Sequence, residues 1–141
     1  MVSTIIAGNS AYTAALQQVV STSECAADVV SDTTQAVHAL REHKTPVLLL
    51  SQQFDNKDAL EQISLFKQVN KRVKIILLAD TDSISYLRKA RSAGIFYHVL
   101  EPRTEEDLEE LGMALKAARD AILKQQSGIL GRIASVVPTL G

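Results

Sequence analysis

Pro46-Val47-Leu48-Leu49-Leu50-Ser51-Gln52-Gln53-Phe54 opens with an unbroken apolar run that stops at a serine. A run without polar alternation predicts a strand covered on both faces, so helices are expected above and below it. The stretch therefore reads as the middle strand of an α/β sheet. In open α/β sheets chemistry gathers at the carboxyl ends of the strands, which makes Ser51 the position of interest. The next carboxylate along the chain is Asp55.

Working outward, Ser3 to Ala7 is a short β-rich run ended by Gly8-Asn9. Ser10 then reads as the cap of a helix with Tyr12, Ala15, Leu16, Val19 and Val20 on one face. Cys25 to Val30 is a weaker strand, and Asp32 with Gln35 forms a capping-box pattern ahead of Ala36, Val37 and Leu40. Beyond the central run, a helix is expected from about Asp58 to Val69, a strand from Lys74 to Ala79, and a helix from Ser83 closed by Gly94. Ile95 to Leu100 is the fifth strand. Thr104 with Asp107 starts the longest helix, whose Leu108, Leu111, Leu115, Ala118 and Ile122 hold the helical period to about Lys124. Five strands alternating with five helices predict a parallel sheet, helices on both faces and right-handed crossovers.

The chain has 141 residues, enough for one domain with a substantial core. With 15 basic and 16 acidic residues and a net charge of −1, it carries no electrostatic case for nucleic acid or a membrane surface. A lone cysteine, Cys25, forms no internal disulfide, and the N-terminus has no charged n-region before a long apolar segment, so a cytoplasmic setting is expected.

The alternation over residues 2 to about 124 resembles the receiver domain of two-component response regulators, in particular through Pro46 to Phe54 and through Ala93-Gly94-Ile95-Phe96-Tyr97-His98-Val99-Leu100-Glu101-Pro102. The resemblance implies a flavodoxin-like (CheY-like) three-layer fold, with strand order 2-1-3-4-5. It also implies an acidic pair for Mg²⁺ after the first strand, an aspartate phosphoacceptor after the third, a hydroxyl residue after the fourth and a lysine after the fifth. In this sequence those positions fall at Gly8 and Asn9, or Ala7 and Gly8 in the other register, at Ser51, at Ala79 or Leu78, and at Glu101. All four functions are missing together, so a degenerate receiver without phosphorylation chemistry, catalytic residue or cofactor is expected. The alternatives are a true receiver phosphorylated at another acid such as Asp55, and a small-ligand α/β domain. Asp55, Asp80, Asp82 and Glu101 are expected to be solvated loop acids, not a metal site.

In receivers, a face built from the fourth helix, fifth strand and fifth helix serves dimerisation, which here points to Arg88, Arg91, Tyr97, His98 and Glu105 as a partner or homodimer face. Lys71, Arg72 and Lys74 read as a solvated loop. After residue 125 the chain reads as a linker, Ser127 to Gly131, and a further strand from Arg132. Gly131 to Gly141 is similar to the opening of ParA/MinD-type ATPases, and the whole resembles the N-terminal half of the CpaE/TadZ family of pilus-assembly ATPases. That resemblance implies an interaction domain at residues 1–125, reached by protein partners at a membrane-associated assembly, and ATP binding only in a domain beyond this chain.

Overall fold

The computed structural model describes the backbone of residues 1–8 and 10–140 and the side chains of residues 1–8 and 11–126. Five strands, β1 (Val2–Ala7), β2 (Cys25–Val29), β3 (Val47–Ser51), β6 (Lys74–Ala79) and β7 (Tyr97–Leu100), form one parallel sheet in the order β2-β1-β3-β6-β7. This is the expected 2-1-3-4-5 order, with the short strands β4 (Gln53–Phe54) and β5 (Lys57–Asp58) pairing apart as a hairpin. Helices α1 (Thr13–Thr22), α2 (Thr33–Glu42), α3 (Ala59–Val69), α4 (Ile84–Ala93) and α5 (Glu105–Leu140) complete the chain.

The central run is continuous because both of its faces are buried. Leu48 and Leu50 join Ile5, Ile75 and Leu77 under α2 and α3, around Leu40, Ile63 and Phe66. Val47 and Leu49 turn the other way, with Ile6, Ile76 and Leu78, onto Leu16 of α1 and Leu111, Leu115 and Ile122 of α5. Successive side chains on a strand alternate faces, so only a strand sandwiched between helix layers is apolar at every position.

The helix ends follow local chemistry. Asp32 accepts from the Gln35 N–H at 2.8 Å while Gln35 Oε1 accepts from the Ser31 N–H at 2.8 Å, so each side chain satisfies a backbone donor at the start of α2. Thr104 and Asp107 do the same for α5. Gly94 ends α4 at φ +107°, a left-handed conformation costly for a residue with a Cβ.

Two expectations are corrected. α1 begins at Thr13, after a 3₁₀ turn at Ser10–Tyr12, and Tyr12 at its N-cap makes no side-chain capping bond. The backbone of α5 is helical to Leu140, where a strand was expected from Arg132. Among the described residues, no helix is long and apolar enough to cross a membrane.

Candidate functional site

The carboxyl edge of the sheet brings together Gly8 from the end of β1, Ser51 from β3, Ala79 from β6 and Glu101 just after β7. Asn9 lies outside the described residues. Ser51 is only 1% exposed, and a Cβ placed on Gly8 would lie 3.1 Å from the Ser51 hydroxyl oxygen and 3.3 Å from Leu16 Cδ1. The space where β1 and β3 approach is thus tight, filled by the side chains of Ser51 and Leu16.

A hard divalent cation needs several oxygen ligands, preferably carboxylates. Of the described residues, β1 and β3 bring a residue with no side chain and a neutral hydroxyl, and no cluster of three or more His, Cys, Asp or Glu side chains is placed to hold a metal. The described residues at this edge therefore do not fit the Mg²⁺ that the sequence resemblance implies.

The rest of the edge is internally bonded. Gln52 is buried, its backbone N–H donates to the Leu78 carbonyl, its carbonyl accepts from the Ala59 N–H, and its Oε1 accepts from the Asp80 N–H at 2.9 Å. One glutamine thereby ties the ends of β3 and β6 to the start of α3. Glu101, expected to be solvated, has a side chain only 11% exposed, and Arg103 Nη2 stands 3.6 Å from its Oε2. Arg103 also bonds the side chain of Tyr12, so it bridges the β7–α5 loop to the start of α1.

Burial, and then the Asp80 carboxylate, push the Glu101 carboxyl above its ordinary range, while Arg103 pulls it back. A carboxyl raised in the folded state binds its proton more tightly there than in the unfolded chain. Its ionisation therefore leaves stability intact below the ordinary value of 4.5 and weakens it as pH rises through the folded value. Glu101→Gln is expected to raise the thermal midpoint by roughly 2 °C at about pH 7 and by nothing near pH 3.5. Equal shifts at the two pH values, measured by scanning calorimetry, would remove charge as the cause.

Asp55 sits in the hairpin that leaves the carboxyl end of β3. It and Asn56 form the turn of the β4–β5 hairpin, with φ of 55° and 58°, and these residue types tolerate the left-handed region that a two-residue hairpin turn requires. The Thr33 N–H and hydroxyl both donate to Asp55 Oδ2, at 3.0 and 2.8 Å. Those bonds hold the carboxyl below its usual range, so the side chain serves as an anchor between the hairpin and α2. Asp58 closes the same region. It caps α3 through the Leu60 N–H and accepts the Tyr86 hydroxyl at 2.9 Å, which links α3 to α4. Burial, with this bond, pushes the Tyr86 phenol well up.

Between α4 and α5, β7 floors a cleft of about 630 Å³ lined by Leu87, Tyr97, His98, Leu100 and Met113. Tyr97 and His98 stack with their ring centroids 6.0 Å apart, and burial together with the Arg91 charge holds His98 below its usual range. Tyr97 and Leu100 are exposed, and Met113 is 70% exposed. Arg88 and Glu105 stand exposed on α4 and α5, outside the cleft lining.

Sequence reasoning missed Gln52, Arg103, Asp58 and Tyr86. The Asp58 cap was open to detection, since an acid before Ala59-Leu60-Glu61 is an N-terminal signal. The other three act through long-range partners.

The family model described as response regulator receiver domain matches residues 4–111. No curated protein sequence matches the chain. A response regulator receiver domain protein from Clostridium thermocellum superimposes with a TM-score of 0.71 at 15% identity, over 87% of this chain and 99% of that one. A response regulator from Thermotoga maritima gives 0.72 at 14% identity, over 84% and 97%. A putative pilus assembly-related protein from Burkholderia pseudomallei gives 0.64 at 15% identity, over 84% and 91%. At these identities the likeness is one of fold.

Proposed function

This chain belongs to the response regulator receiver domain family, and we propose that it works there as a constitutive docking module that takes no phosphoryl group. The observation that carries this reading is the closed approach of Gly8 to Ser51, with Ser51 buried. Phosphoryl transfer to an aspartate needs a metal held beside the acceptor and a cation on the transferred group. Here the acceptor position is a neutral hydroxyl inside the sheet edge, and the position of the cation carries Glu101. Asp55 is a poor substitute, because both Thr33 donors already occupy its Oδ2.

The docking surface in this reading is α4, β7 and α5, and the partner is a second copy of the chain. Arg88 and Arg91 on α4 face solvent, as do Glu105, Glu109 and Glu110 on α5, and between them lie exposed Tyr97, Leu100 and Met113. Opposite charges flanking an apolar strip suit a symmetric contact, in which the basic helix of one copy meets the acidic helix of the other. A receiver domain with 17% identity to this chain forms a dimer when activated with beryllofluoride. Here the contact would need no activation.

A role at a pilus-assembly machine is the finer part of the proposal. It is supported by the emptied site together with the fold likeness to the Burkholderia pseudomallei protein. The helical backbone of residues 132–137 removes the tail strand from its support. A boundary near residue 125, followed by an ATPase-like domain, stays part of the same proposal, as does a cytoplasmic location with recruitment through protein contacts.

The test is incubation with acetyl phosphate and Mg²⁺, followed by intact mass and sedimentation on one sample. No added phosphate, and a dimer fraction that is the same before and after, are expected. A stoichiometric adduct, or dimers that form only with the phosphodonor, would sink the reading.

A further inference from the structure

At the amino end of the sheet, opposite Ser51, five cations converge: Lys44 before β3, Lys67 on α3, Lys71 and Arg72 between α3 and β6, and Lys74 at the start of β6. They line a groove of about 830 Å³. Among the described residues no carboxylate lines it, and none of the five is in an ion pair with a described residue. In a chain of net charge −1, this is a concentrated positive site whose counter-charge is elsewhere.

The groove is also shaped. Phe96 and Ile122 form an apolar wall, with the Lys74 ammonium 5.5 Å from the centre of the Phe96 ring. Gly94 lets the stem of Lys67 lie against the end of α4, because a Cβ there would stand 3.3 Å from Lys67 Cε. Asn70 fixes the two loops that carry Lys44, Lys71 and Arg72: its Nδ2 donates to the Leu40 and His43 carbonyls, and its Oδ1 accepts from the Arg72 N–H. The cations are therefore set on a rigid frame, which lowers the entropy lost on binding.

We propose that this groove binds a small organic polyanion of the nucleotide class, with two or more phosphate groups on the cations and the ring against the Phe96 wall. Ammonium and guanidinium groups supply charged donors to phosphate oxygens, and the volume is that of a small-molecule site. A lipid surface or a nucleic-acid backbone fits less well. Lys67 and Lys74 are half-buried in the groove, so a broad surface would reach only exposed Lys44, Lys71 and Arg72, whereas a small molecule can reach all five.

Calorimetric titration of the full chain with ATP, inorganic tripolyphosphate and phosphatidylserine-containing vesicles tests this. Saturable one-to-one binding of ATP is expected, several-fold tighter than tripolyphosphate. Lys67→Gln combined with Lys71→Gln should weaken ATP binding by about tenfold or more, as loss of two charge-assisted contacts implies. Lys89→Gln on α4 with Lys116→Gln on α5, both exposed and outside the groove, should leave it unchanged. The single reversal Lys71→Glu, at an exposed position, repeats the test with little risk to folding. Absence of saturation, equal affinity for the two phosphates, indifference to the groove variants, or binding to vesicles alone would each overturn the proposal.

Discussion

Replacing Ser51 with aspartate is expected to lower stability by about 3 kcal/mol and to add no phosphate on incubation with acetyl phosphate and Mg²⁺. The position is 1% exposed, at the end of a strand buried on both faces, and Gly8 already stands so close that its own Cβ would lie 3.1 Å from the Ser51 oxygen. An aspartate adds volume where none is free and a charge where water is excluded. The charged groups along that edge are the Asp80 and Glu101 carboxylates, with Arg103 reaching Glu101 from a side chain that is 64% exposed. A buried carboxylate without a cation lifts its own pKa, so the destabilisation should be largest near neutral pH and shrink as pH falls below that raised value. Urea unfolding at two pH values measures this. Ser51→Asn, of equal size but uncharged, separates volume from charge and should cost less. A variant as stable as the parent, or one that takes up a single phosphate, would show that the site is open.

The sheet was legible because its strands are buried on both faces. Val47 to Leu50, and Ile75 to Ala79, have no polar break to confuse the reading, and the capping residues Asp32, Thr104 and Gly94 announced where helices start and stop. The resemblance to receivers singled out Gly8, Ser51, Ala79 and Glu101, and they share one edge because parallel strands bring their carboxyl ends together. The β4–β5 hairpin was not legible, because strands of two residues carry no periodicity and Asp55-Asn56 reads equally as loop. The burial of Glu101 was hidden for a different reason. A glutamate in a loop is solvated by default, and only the approach of the β7–α5 loop to Tyr12 through Arg103 encloses it. The basic groove was half visible. Lys71, Arg72 and Lys74 are neighbours in sequence, but Lys44 and Lys67 join them only because α2 and α3 both end at the same edge of the sheet.

That convergence rests on one buried side chain, and Asn70→Ala is expected to cost about 2–4 kcal/mol, the loss of three hydrogen bonds at a site closed to water. Asn70 is 9% exposed and donates to the Leu40 carbonyl at 2.9 Å and the His43 carbonyl at 2.8 Å, while accepting from the Arg72 N–H at 3.0 Å. The end of α2 has no glycine to close it: His43, at the C-cap, is extended at φ −119°. The last carbonyls of α2 thus draw their donors from a residue 27 or 30 positions further along the chain. Alanine removes both donors and leaves the Arg72 N–H without this acceptor, and no small rearrangement of the two loops replaces all three. The urea midpoint should fall with the slope of the transition unchanged, since the folded state buries the same surface. Any ATP binding in the groove should weaken in the same variant under conditions where it is fully folded, because Lys44, Lys71 and Arg72 lose their common frame while keeping their charges. A cost below about 1 kcal/mol would place Asn70 among ordinary surface contacts, and an unfolded chain at room temperature would place it deeper in the fold than three hydrogen bonds allow.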